Sequence, residues 1–171
     1  MNTNKRRVVV TGLGAVTPVG NDVPTMWEAL LAGTNGIGRI TCFDASDFEV
    51  QIAAEVKDFD PVALFDRRVA RRNDRFTLFA LEATRQAIAD AGMEFGEDDN
   101  DLKRATGVII GTGIGGVITL LDNYDVLKES GPRRVSPLMV PMMMPNAAAA
   151  AVSITHGLQG PSMSLASACA T

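Results

Sequence analysis

A cysteine near the end of the chain has the setting that best suits covalent chemistry. Cys169 follows the run SMSLA, which predicts a short strand leading into small residues. A strand that turns sharply into a helix can present a nucleophile beyond the edge of a sheet, and a helix N-terminus favours the reactive thiolate. The alternative is a buried small hydrophobic side chain, because free cysteine is among the most buried residue types. The pattern alone leaves both interpretations open.

A glycine-rich loop is the second candidate for chemistry. In GVIIGTGIGG, the glycines Gly111, Gly113 and Gly116 match G-x-G-x-x-G and lie between a predicted strand and a predicted helix, as in dinucleotide-binding folds. However, the stretch about 20 residues further on, where such folds carry a strand ending in an acidic residue, is LKESGPRRVSP, a helix end and a loop. We therefore favour a tight strand-to-helix turn that needs glycine for close packing.

The elements that must position these residues alternate between strands and helices, which predicts an α/β class with a mainly parallel sheet in one unit. The helix over Asp74–Ala91 is the clearest, with Asp74 as its cap and Phe76, Phe79, Ala80, Ala83, Ala87 and Ala91 on one face. The other predicted helices are Pro24–Leu31, a turn at Pro61–Phe65, one ending near Lys128, and Asn146–Thr155. The predicted strands are Arg7–Thr11, Val50–Val56, Ala105–Ile110 and Ser162–Ala166.

Composition narrows the class of protein. The 171 residues are 46% hydrophobic and 21% charged, which is typical of a globular domain. The net charge of −4 argues against nucleic acid as a partner, and prolines interrupt the apolar stretch at 138–155, so we expect no membrane span. Two cysteines and one histidine provide no metal-binding spacing and no disulfide scaffold. We therefore expect a cytoplasmic protein without a metal or another cofactor.

Several motifs occur together and in order along the chain: KRRVVVTGLGAVTPVGN, GTGIGG, GPRRVSP and GLQGPSMSLASACAT. Together they resemble the N-terminal half of a β-ketoacyl-acyl-carrier-protein synthase, most closely the elongating type II of bacterial fatty-acid synthesis. The resemblance implies a thiolase-like fold of layered αβαβα architecture, in which two similar α/β halves stack. It further implies that residues 1–171 form an N-terminal synthase domain that stops just after the nucleophile.

By this resemblance, Cys169 is the nucleophile that accepts an acyl chain from acyl carrier protein as a thioester. Decarboxylation of malonyl-acyl carrier protein then provides a carbanion, and a Claisen condensation lengthens the chain by two carbons. Covalent capture divides a difficult reaction into two easier steps. The family's two histidines and its lysine lie beyond the last residue. We therefore expect the chain alone to be inactive, and assign His156 a structural role at the end of a helix.

The resemblance also assigns residues to the substrate and to the partner. Ile114 corresponds to the family's acyl-pocket gate, and Met139 lies in the segment that reaches across a homodimer to line the partner's acyl channel. Arg68, Arg71 and Arg72 match the basic patch that docks the acidic carrier protein, which is electrostatically reasonable. Other hypotheses are a non-catalytic truncated partner subunit of a complete synthase, an ordinary solvated basic face for the arginines, and gap filling for the methionines.

Overall fold

The structure is a computed structural model that describes residues 6–171 of the chain. Its α-helices and β-strands are numbered in chain order. The helices are α1 (Val23–Leu31), α2 (Pro61–Leu64), α3 (Arg67–Arg72), α4 (Arg75–Asp90), α5 (Asn100–Ala105), α6 (Val117–Ser130), α7 (Met139–Met143) and α8 (Ala147–His156). The strands are β1 (Ile37–Arg39), β2 (Ile52–Ala54), β3 (Val108–Gly111) and β4 (Ser162–Leu165).

The contacts within the chain divide it into two compact units. The first contains the described residues up to Lys57 together with Arg85–Glu94. The second contains Asp58–Thr84 and Phe95–Thr171, and therefore holds both Cys169 and the glycine-rich loop.

The first unit contains α1 and an antiparallel pair of strands. The predicted helix at Pro24–Leu31 is confirmed, and Asp22 caps it by accepting a hydrogen bond from Thr25 N at 2.7 Å. β2 confirms the core of the predicted strand Val50–Val56 and pairs antiparallel with β1, with Ile37 opposite Ala54. The sequence did not predict β1, which is three residues long and has a glycine at its centre.

The predicted strand at Arg7–Thr11 is wrong for the described part of the chain, where no strand is assigned before β1. Its three valines, Val8, Val9 and Val10, are 94%, 63% and 80% exposed. β-Branched residues favour an extended backbone, but a strand also needs a hydrogen-bonded neighbour. No strand among residues 6–171 pairs with this segment, so the local preference alone does not produce a sheet.

The second unit is built on the parallel pair β3–β4, in which Val108 lies opposite Ser162 and Gly111 opposite Leu165. Both strands were predicted, as was helix α8, which packs against them. Ala148, Ala149 and Val152 of α8 are at most 2% exposed, because small side chains allow the helix close to the strands. Among the strands of residues 6–171, the expected parallel arrangement applies to this pair, whereas β1 and β2 run antiparallel.

Helix α4 confirms the clearest predicted helix but turns a different face inward. The predicted face, which includes Phe76, Phe79 and Ala83, is only half-buried. The buried positions of α4 are Thr77, Leu78, Leu81 and Glu82. Phe79 instead packs edge-on against Phe59 with ring centroids 4.8 Å apart, and Arg75 lies over both rings. The predicted face is wrong because the buried side chains, two leucines, a threonine and a glutamate, lie on another face of the helix.

No helix among residues 6–171 has both the length and the apolar character needed to cross a membrane.

Candidate active site

Cys169 lies in a tight turn directly after β4. The strand ends at Leu165, and a 3₁₀ turn over Ala168–Ala170 follows. Ala168 has φ +52°, a left-handed conformation that non-glycine residues rarely adopt and that favours a sharp change of chain direction. The thiol of Cys169 is exposed. The predicted strand and the sharp turn after it are confirmed, the predicted helix is not among the described residues, and burial as a small hydrophobic residue is not observed in this chain.

Backbone and hydroxyl hydrogen bonds tie this turn to the start of the glycine-rich loop. Ala168 N donates to Gly113 O at 3.2 Å, and Thr171 Oγ1 donates to Thr112 O at 3.3 Å. Thr171 Oγ1 also accepts from Ser167 N at 2.8 Å. A side chain on Gly111 would overlap the methyl group of Thr171. The position of Cys169 is thus set by the loop that follows β3.

The glycine-rich loop is a tight turn that leaves no room for side chains at its end. Gly115 has φ +85°, and Val117 N bonds back to Gly115 O at 3.0 Å, which forms an inverse γ-turn centred on Gly116. Gly116 N donates to Met143 O at 3.0 Å. A Cβ on Gly116 would come within 2.7 Å of Met142 O and 2.8 Å of Met143 Cα. The predicted packing role is confirmed for Gly111 and Gly116, whereas a Cβ on Gly113 would make only an ordinary contact, 3.9 Å from Ala168 O.

A carboxylate of the protein itself occupies the N-terminus of helix α6, where a dinucleotide phosphate would bind. Asp74 Oδ2 accepts hydrogen bonds from Thr119 N at 2.9 Å and from Thr119 Oγ1 at 2.7 Å. A helix N-terminus attracts one anion, and here Asp74 already provides it. The geometry disfavours the dinucleotide-binding hypothesis for this loop. The sequence indicated Asp74 as the cap of α4 but gave no sign of its bonds to Thr119, which lies 45 residues away.

The two predicted acyl-pocket residues lie on different elements, the glycine-rich loop and helix α7. Ile114 is the one large side chain of the loop and is 69% exposed. Met139 begins helix α7 and is half-buried. The glycine-rich loop contacts both the Cys169 turn and helix α7. Gly113 O accepts a hydrogen bond from Ala168 N in that turn, and Gly116 N donates to Met143 O at the end of α7. The structure thus assembles the loop, α7 and the nucleophile turn, and the pocket roles of Ile114 and Met139 stay predictions.

The predicted docking arginines lie on a separate element, helix α3. Asp66 caps this helix by accepting from Val69 N at 2.7 Å, which holds the short basic run RRVARR in a helical conformation. Arg68, Arg71 and Arg72 are all exposed. The helix itself was not predicted, although an aspartate directly before the basic run is a sequence signal for it. The docking role of the arginines stays a prediction.

His156, the one histidine, ends helix α8. Its Nε2 atom is buried and has no hydrogen-bond partner among the described residues. Its ring lies 6.1 Å from that of Phe95. Burial lowers the pKa of His156 below its ordinary value, which favours the neutral ring. The expectation that a positively charged His156 complements the helix dipole is therefore not supported. The ring contact with Phe95 supports the expected structural role instead.

Comparisons with known proteins agree with this geometry. The family model described as "Beta-ketoacyl synthase, N-terminal domain" matches residues 5–171. The 3-oxoacyl-[acyl-carrier-protein] synthase 2 of Coxiella burnetii is 50% identical over 98% of this chain and 40% of its own length. The chain therefore spans about 40% of the length of the curated relatives that it matches.

Two solved structures share the fold. The first, described as the ishigamide ketosynthase/chain length factor, superposes with a TM-score of 0.81 at 26% identity, over 94% of this chain and 40% of that one. The second is a type II polyketide synthase acyl-carrier protein in complex with its ketosynthase, with a TM-score of 0.74 at 23% identity, over 94% and 41%. The predicted thiolase-like architecture is confirmed for the N-terminal half. The chain belongs to the β-ketoacyl synthase family and corresponds to its N-terminal domain.

Proposed function

We propose that this chain is the part of a 3-oxoacyl-[acyl-carrier-protein] synthase that carries the nucleophile, and that the nucleophile is Cys169. The observation on which the proposal rests is the exposed thiol in a strained turn, held by the glycine-rich loop. The name of the 50% identical relative supports the same reaction. Acyl transfer from carrier protein to a cysteine needs a thiol that substrate can reach, and this turn provides one.

The proposed reaction has two steps, acyl transfer to Cys169 and condensation. In the first, the Cys169 thiolate attacks the acyl thioester, and the carrier protein leaves as its thiolate. In the second, malonyl-acyl carrier protein loses carbon dioxide, and the resulting carbanion attacks the Cys169 thioester. The cysteine leaves as a thiolate, and the product is a β-ketoacyl-acyl carrier protein two carbons longer. The two histidines and the lysine implied for decarboxylation would belong to the part of the relatives that this chain does not match.

The proposal includes partners and a compartment. Arg68, Arg71 and Arg72 would attract the acidic carrier protein, because exposed cations on an acidic protein can steer a partner of opposite charge. The solved complex of a ketosynthase with its acyl-carrier protein supports a partner of this class. Met139 would line the acyl channel of the other subunit in a homodimer. Fatty-acid elongation on a carrier protein would take place in the cytoplasm.

Acylation of Cys169 is the direct test of this function. We place the chain in a complete synthase, completed where necessary with the remaining part of the Coxiella burnetii relative, and treat it with palmitoyl-acyl carrier protein. Peptide mass spectrometry should find the palmitoyl group on Cys169, and Cys169→Ala should abolish both acylation and condensation. Cys42→Ala is the matched control, because Cys42 is the other exposed cysteine outside a disulfide. Condensation that persists in Cys169→Ala would refute the assignment.

A further inference from the structure

The carboxylate of Asp74 is a buried polar group beside the end of the glycine-rich loop. Asp74 is 5% exposed, and its partner Thr119 is 6% exposed. Oδ2 accepts both the amide and the hydroxyl of Thr119, while Oδ1 accepts from Phe76 N at 3.2 Å. One carboxylate thereby connects the starts of α4 and α6. Hydrogen bonds to a buried charged acceptor are among the stronger ones in proteins, so this connection is rigid.

The same carboxylate limits the end of the loop. A Cβ on Gly116 would lie 2.9 Å from Asp74 Oδ2, so the backbone of Gly116 packs directly against the acid. On its other side, Gly116 bonds to Met143 O. The end of the loop is therefore held between Asp74 and the last turn of α7.

The beginning of the loop is held independently of Asp74. Thr112 N donates to Leu165 O at 2.9 Å, and Gly113 O accepts from Ala168 N. These bonds connect the loop to β4 and to the Cys169 turn. A change at Asp74 or Thr119 therefore loosens the end of the loop and leaves the hydrogen bonds beside the nucleophile in place.

Ile114 lies between these two anchors. We infer that Asp74, acting through Thr119 and Gly116, is a positioning residue that fixes Ile114 and so determines which acyl chain lengths the enzyme accepts. The inference rests on the proposed function, in which Ile114 lines the acyl pocket. It adds a determinant of specificity that does not itself touch the acyl chain.

Chain-length discrimination is the property most sensitive to this loosening. One methylene in a well-defined apolar pocket changes the specificity by about 10-fold to 200-fold, and a mobile wall weakens that discrimination. Losing one of the two Thr119 bonds to Asp74 should therefore move the ratio of kcat/KM values for two chain lengths toward unity. We expect a change of at least about threefold, below the effect of a whole methylene because only one hydrogen bond is lost.

Thr119→Val tests this inference, with Thr77→Val as the matched control. Both threonines are buried, but Thr77 Oγ1 has no hydrogen-bond partner among the described residues, whereas Thr119 Oγ1 bonds Asp74. In the complete synthase, kcat and KM are measured with octanoyl- and palmitoyl-acyl carrier protein. Thr119→Val should shift the ratio, Thr119→Ser should restore it, and Thr77→Val should leave it as in the unmodified protein. Acylation of Cys169 should still go to completion in all three.

The outcomes separate the inference from the function on which it rests. An unchanged ratio in Thr119→Val overturns the inference while the synthase activity stands, and so does an equal shift in Thr77→Val. If the unmodified protein is not acylated at Cys169, the proposed function fails and the inference fails with it. If Thr119→Val does not fold, Asp74→Asn provides the same comparison, since it keeps the size of the side chain and removes its charge.

Discussion

Replacing Gly116 by alanine tests whether the glycine-rich loop is a packing device. The new Cβ would lie 2.7 Å from Met142 O and 2.8 Å from Met143 Cα, both backbone atoms that cannot rotate away, and 2.9 Å from Asp74 Oδ2. Gly116 has φ −82°, which alanine tolerates, so the cost is steric. Overpacking costs about 1–3 kcal/mol, and rigid neighbours favour the upper end. Alanine also lowers the conformational entropy of the unfolded chain, which stabilises the folded state by about 0.4–1 kcal/mol and offsets part of this cost.

The net loss should be about 2 kcal/mol in the free energy of unfolding. We would follow urea unfolding by far-ultraviolet circular dichroism, where such a loss lowers the midpoint by about 1 M. Gly38→Ala is the control, because a Cβ there meets no atom within 4 Å, and its stability should be unchanged or slightly higher. If the two variants differ by less than about 0.5 kcal/mol, the steric argument is wrong.

Two further predictions concern pH. Because burial lowers the pKa of His156 in the folded protein, the unfolded chain binds a proton more readily, and the free energy of unfolding should fall as the pH drops below about 6.5. His156→Gln should flatten this slope in urea titrations between neutral and mildly acid pH. Hydrogen bonds from Thr41 and Cys42 lower the pKa of Glu55 to about 2. Its stabilising effect is fully present above its ordinary pKa of 4.5 and is lost as the pH falls from there to about 2. Carboxyl NMR of the unmodified protein should show the lowered pKa, and Glu55→Gln should lack the acid-dependent loss in unfolding titrations.

Sequence predicted the elements whose signals are local. Helix α1 has a capping aspartate and an early proline, and α8 has a run of alanines that ends at Gly157 with φ +65°. Strands β3 and β4 are short apolar or alternating segments next to glycine or small residues. Each signal acts within a few residues of the element, so tertiary contacts were not needed to find it.

What the sequence did not predict depends on contacts between distant segments. The valines at 8–10 favour a strand, but an extended segment becomes one only beside a partner. The buried face of α4 includes Thr77 and Glu82, which hydrophobic periodicity does not place inside. The bond from Asp74 to Thr119 spans 45 residues, and no spacing rule reaches that far. The turn that holds Cys169 was predicted because it directly follows its strand, and the role of Cys169 as nucleophile stays a prediction from the family resemblance.

Different residues of the candidate site hold its structure and present exposed side chains. The groups that hold it are backbone atoms, glycines without space for a Cβ, and one buried carboxylate. The groups that would meet substrate, Cys169 and Ile114, are exposed and make no part of that support through their side chains. Substitutions at exposed positions usually change stability by less than about 0.5 kcal/mol. Substitutions at these two positions should therefore cost this chain little in folding, whereas substitutions at Gly116 or Asp74 should destabilise it.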